Sequence, residues 1–73
     1  MVLEEAAAKA LGAAIAIFGG AIGTGLAQSA IGASAVGVIA EKPEQASKLL
    51  VWLVIPESIV IFGFIVAAVL LFL

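Results

Sequence analysis

The sequence predicts an all-α membrane protein, a two-helix transmembrane hairpin that assembles into a homo-oligomeric ring. Three observations carry this reading. Of the 73 residues, 66% are hydrophobic and only 11% are charged, a balance suited to lipid rather than to a water-facing surface. The charges are confined to Glu4, Glu5 and Lys9 at the start, to Glu41, Lys42, Glu44 and Lys48 in the middle, and to Glu57 alone. Small residues recur at helical spacing along the first apolar stretch, the pattern by which helices pack closely in a bilayer.

Helix 1 is expected over about residues 4–40. It opens on strong helix formers, with Glu5 and Lys9 one turn apart. No charge occurs from Ala10 to Ala40, well beyond the roughly 20 apolar residues that a span needs. The turn is Ala40-Glu41-Lys42-Pro43-Glu44. Pro43 disfavours helix at Lys42 and is itself a good first residue for the next helix. Helix 2 then covers about 44–73, where bulky Leu, Val, Ile and Phe replace the Gly and Ala of helix 1. The whole chain, 1–73, reads as one transmembrane hairpin.

The small residues of helix 1 form stripes. Gly12, Ala16, Gly20, Gly23, Ala27, Ala30, Ser34 and Gly37 succeed one another at steps of four and three, which keeps them on one face. Gly19 and Gly23 make a GxxxG, and Gly25, Ser29 and Gly32 make a second small face. One such face suffices for a dimer; two favour a ring of copies.

Several chemistries are excluded. There are no cysteines and no histidines, so disulfides, zinc and haem ligation, thiol chemistry and histidine triads are absent from this chain. Lys and Arg total three, which leaves no basic stripe for nucleic acid. The glycines of Gly19–Gly25 are not succeeded by Lys-Ser/Thr, so no nucleotide loop is present. No cofactor and no catalytic residues are expected. Glu4 and Glu5 stand where a secretory signal would carry positive charge. Lys42 in the turn and Lys48 just beyond it, against Lys9 near the N-terminus, favour a cytoplasmic loop.

Glu57 is the informative residue. A charged carboxylate in mid-span costs about 2.5–3.5 kcal/mol on insertion scales, and residues that carry this cost are usually functional. The turn Glu41–Glu44 is centred at 42.5; Gln28 precedes that centre, and Glu57 lies beyond it, by the same 14.5 positions. In an antiparallel hairpin the two lie at one depth, about 22 Å from the turn. Pro56 lacks an N–H, so the Trp52 carbonyl loses its usual donor and the helix kinks. Gln28, the Ile55 backbone carbonyl, Glu57 and Ser58 together form the candidate ion site, with Pro56 as the kink. A carboxyl faces lipid only when neutral, by protonation or by binding a cation, and releases its ion where water or a positive group reaches it. Those two states describe a carrier.

The chain resembles the c subunit, or proteolipid, of rotary ATP synthases, and looks closest to the archaeal and bacterial A-type and V-type form. The residues that carry the resemblance are Gly23-Thr24-Gly25-Leu26-Ala27-Gln28, Ala40-Glu41-Lys42-Pro43-Glu44, and Ile55-Pro56-Glu57-Ser58 with Ile61-Phe62-Gly63-Phe64 after it. The resemblance implies a ring with helix 1 inside and helix 2 outside, in the inner or plasma membrane. It implies a loop that docks the central stalk, and a stator membrane subunit whose Arg displaces the ion from the carboxylate at Glu57. Rotation then couples ion flow to ATP synthesis or hydrolysis elsewhere in the complex. Sodium-binding relatives place Thr or Gln where Ile59 stands and, in some, Tyr where Phe62 stands. With fewer side-chain oxygens available, protons are preferred, and sodium at Glu57 and Gln28 is the alternative. The rival from another class is a structural or pore-forming membrane hairpin, which leaves the matched depths of Gln28 and Glu57 unexplained.

Overall fold

The computed structural model describes residues 2–73; Met1, the first residue of the expected hairpin, lies outside them. Two antiparallel helical arms form a hairpin of 60 × 17 × 8 Å. The first arm is one helix, α1, Val2–Glu41. Its 40 residues at about 1.5 Å each account for the long dimension, and it overreaches a hydrocarbon core of about 30 Å.

The turn is tight. Lys42 N–H donates to the Val38 carbonyl at 2.7 Å, closing α1. Lys42 then leaves the helical region, at φ −134° and ψ 78°, as a residue before proline prefers. Pro43–Gln45 forms a single 3-10 turn whose missing proline N–H costs nothing at a helix start.

The second arm is broken, where the sequence predicts one continuous helix with a kink. It comprises α2, Ala46–Val54, and α3, Glu57–Phe72, with Ile55 and Pro56 between them. Both arms, Val2–Glu41 and Pro43–Phe72, are long and apolar enough to cross a membrane.

The arms meet through small residues. Ala13, Gly20, Thr24 and Ala35 of α1 and Ala67 of α3 are buried, as is Pro56. A methyl group on Gly63 would lie 2.7 Å from the Ala16 carbonyl oxygen, and one on Gly20 would lie 3.1 Å from Ile59 O and Val60 Cα. Here backbone packs on backbone, which only glycine allows. Nearer the turn, Gly32 faces Leu53. Among the described residues the buried apolar side chains are Ala13, Ala35, Ala67 and Pro56, all small, whereas Phe18, Leu26, Phe62 and many others are exposed. The hairpin therefore has no core of its own, and its large side chains are left for lipid or for further copies.

The small-residue stripe only partly tracks this seam. Gly12, Gly20 and Gly23 face α3. Ala30, Ser34 and Gly37 are exposed, and the seam passes instead through Gly32, Ala35 and Ile39. At Gly19, Gly25 and Gly37 a methyl group would find no atom of the opposite arm within 4 Å. They open outward from the pair.

Candidate functional site

The site is built around the break in the second arm. Pro56 brings no N–H, so the helical ladder loses a rung. Ile55 N–H still reaches the Val51 carbonyl at 3.2 Å. Beyond it, Ser58 N–H donates to Ile55 O at 3.2 Å and Ile59 N–H to Pro56 O at 3.0 Å. These are i→i−3 bonds, so the backbone from Ile55 into the start of α3 is drawn into a tighter, 3-10-like turn.

Gln28 reaches across to this break. Its Nε2 donates to the Leu53 carbonyl at 3.2 Å and to Glu57 Oε2 at 3.0 Å. A carbonyl only accepts, which fixes the amide with its NH2 group toward the second arm. One amide thus spends both its protons on a backbone oxygen beside the break and on the carboxylate. Gln28 is half-buried at the seam, and Glu57 lies on the exposed outer side. The equal distances of the two residues from the turn bring them into contact because the hairpin is antiparallel with little stagger.

Ser58 and Ile55 are adjacent but turned to each other. Ser58 Oγ donates to Ile55 O at 3.0 Å. The Ile55 carbonyl, expected to be open toward an ion, thereby accepts both the hydroxyl and the N–H of Ser58. The carbonyl turned to Gln28 is that of Leu53, two positions earlier. The reason is the tight turn, which folds Ser58 back onto Ile55.

Thr24 is the residue that sequence reasoning passes over. It is 5% exposed. Its Oγ1 donates to the Pro56 carbonyl at 2.8 Å and accepts the Val60 N–H at 3.1 Å. A signal is present: Thr24 precedes Gln28 by four positions, so both hydrogen-bonding side chains share one face of α1. Gly63 has no role assigned by the sequence beyond its place in a motif, yet it makes the closest interhelical approach. Every buried side-chain polar atom among the described residues has a hydrogen-bond partner.

Comparison with known proteins assigns this arrangement to a family. Residues 11–70 match the profile of the ATP synthase C subunit. The ATP synthase c subunit of a Synechococcus species is 44% identical over 70 residues, spanning 90% of this chain and 86% of the relative. That of a Cyanothece species is 44% identical over 73 residues, spanning 94% and 89%. The A-type ATP synthase K subunit of Methanocaldococcus jannaschii is 35% identical over 63 residues, spanning 86% of this chain and 29% of that protein. No solved structure gives a significant match. A two-helix apolar hairpin with no core of its own fits a protein that completes its packing in a rotor ring. On these grounds the chain belongs to the ATP synthase C-subunit family, the non-catalytic membrane subunits of the rotary ATP synthase.

Proposed function

We propose that Glu57 is the ion-carrying group of this rotor subunit and that the ion is a proton. The observation that carries the reading is the contact between Gln28 and Glu57, 3.0 Å long, beside an opened turn of the second arm. A carboxylate on the outer side of a hairpin needs a partner to be held in place there, and the Gln28 N–H supplies one without neutralising it. Protonated, the carboxyl is neutral and tolerates lipid; ionised, it requires water or a cation. A ring that turns past a stator presents both surroundings in succession. The stator would supply an Arg to draw the carboxylate out of its protonated state, with aqueous paths on either side.

Oxygen supply favours the proton over sodium. A sodium ion relies on several oxygen ligands. Around Glu57 the Ser58 hydroxyl and the Ile55 carbonyl are bonded to each other, and Ile59 and Phe62 bring no side-chain oxygen. A proton needs only the carboxyl and one acceptor. The lysines at 42 and 48 support a loop on the cytoplasmic side, where it would meet the central stalk.

Carbodiimide labelling of the purified oligomer tests both parts. The reagent attacks a protonated carboxyl reached through apolar surroundings. Glu57 is expected to label at low pH, to label less as pH rises, and to be indifferent to sodium at fixed pH. Protection by sodium would make the ion sodium. Failure to label at any pH would leave Glu57 as a sealed structural contact and remove the carrier reading.

A further inference from the structure

The geometry points to Thr24 as a positioning residue for the ion site, its hydroxyl serving as a built-in spacer in the backbone ladder of the opposite arm. In a regular helix Val60 N–H would donate to the Pro56 carbonyl. Instead Thr24 Oγ1 stands between them, accepting from Val60 N–H at 3.1 Å and donating to Pro56 O at 2.8 Å. A side chain from one helix thereby occupies the i→i−4 ladder of another, which is a recognised cause of local bending. The rung it occupies is next to the one that Pro56 removes. Proline alone accounts for the loss of its own N–H bond; it does not account for the diversion of the Val60 N–H, since both that donor and the Pro56 acceptor are present.

This spacer has a consequence for Glu57. With Val60 N–H diverted, Ser58 and Ile59 keep their i→i−3 bonds to Ile55 and Pro56. A 3-10 turn advances about 120° per residue and an α turn about 100°. Each residue held in the tighter winding therefore turns its successors by about 20° more than an α-helix would. Glu57 sits inside that turn. Its direction relative to α2, and so its meeting with Gln28, depends on the turn staying tight. Thr24 and Gln28 are four apart on α1, so one rigid helical face holds the spacer and the carboxylate's partner together. Removing the hydroxyl would let the Val60 N–H close onto Pro56 O, relax the turn and re-aim the carboxylate.

The inference rests on Glu57 as ion carrier, and two substitutions separate the spacer from simple packing. Thr24→Val keeps the shape and loses the hydroxyl; Thr24→Ser keeps the hydroxyl and loses a methyl. On the purified oligomer, Thr24→Val is expected to change the rate of carbodiimide labelling of Glu57 at fixed pH severalfold, because the carboxyl is re-aimed away from Gln28. Thr24→Ser should label as the unsubstituted chain does. The reverse order, with Val unchanged and Ser shifted, would overturn the proposal and make Thr24 a packing residue. If Thr24→Val forms no oligomer, the test moves to an isotope-labelled Pro56 carbonyl observed by infrared spectroscopy. The unsubstituted chain and Thr24→Ser should share the lower amide frequency of a doubly bonded acceptor, and Thr24→Ala should lose it; equal frequencies in all three would overturn the proposal. The infrared measurement does not involve Glu57. A chain whose Glu57 never labels but whose Pro56 band tracks the hydroxyl would refute the carrier reading while the spacer stands.

Discussion

Gly63→Ala is the substitution whose effect the packing defines best. Its new methyl would sit 2.7 Å from the Ala16 carbonyl oxygen, with ordinary contact beginning at 3.4 Å. Neither party can rotate away, because one is backbone and the other is fixed to backbone. The arms must separate by about 0.7 Å, and a gap of that order forfeits a quarter to a half of the dispersion energy along the seam. Overpacking of this kind costs about 1–3 kcal/mol. The better helix propensity of alanine returns up to about 1 kcal/mol, leaving a net loss of as much as about 2 kcal/mol per hairpin. The same separation would stretch the Thr24 to Pro56 bond from 2.8 Å to the edge of hydrogen-bonding range. Gly12→Ala is the matched control. Its methyl would meet Leu70 Cδ1 at 3.2 Å, the end of a side chain that can change rotamer, so the propensity gain remains and stability holds or rises. The assay is thermal dissociation of the purified oligomer in detergent. Gly63→Ala should dissociate at clearly lower temperature than Gly12→Ala. Equal midpoints would refute the backbone-on-backbone contact at Gly63.

Four other substitutions probe the site. Glu57→Gln should assemble normally and abolish ion-driven ATP synthesis in the reconstituted complex, because an amide neither takes up nor releases the proton. Gln28→Leu strips the Leu53 carbonyl and the Glu57 carboxylate of a shared donor; the lost hydrogen bonding costs about 0.5–1.5 kcal/mol, read as a lower dissociation temperature together with altered carbodiimide reactivity. Ser58→Ala removes only a bond within its own arm and should change stability by less than about 0.5 kcal/mol, measured by the same thermal assay. Pro56→Ala restores an N–H to the Trp52 carbonyl but leaves the Thr24 hydroxyl in the next rung, so it should lessen the break without closing it, visible as partial rather than complete loss of proton coupling in an oligomer that remains thermally intact.

Much of this hairpin was legible in the chain. Charge placement marked the turn, since a run free of charge from Ala10 to Ala40 has one sensible environment. The depth match of Gln28 and Glu57 comes from counting, because antiparallel helices with a short turn hold register by their constant rise. Pro56 announced a kink, since a missing N–H is a property of the residue itself; that the arm divides there into two helices came from the structure. Family membership was carried by the order of the same motifs and agrees with the profile over 11–70.

What the chain could not show is which way the freed backbone groups turn once the break is made. The loss at Pro56 is local, but its repair is tertiary. Leu53 O finds Gln28 and Pro56 O finds Thr24, according to the rotation of one arm against the other, while Ile55 O is taken by Ser58 within its own arm. The same rotation decides which glycines are contacts. Gly20 and Gly63 meet backbone, whereas Gly19, Gly25 and Gly37 face away, though all are small residues at helical spacing. Composition and periodicity determine that two helices pair in lipid and at what depth their polar residues lie. The angle at which the helices face each other is set by close packing between side chains far apart in sequence, and that angle makes Thr24 part of the opposite helix's ladder.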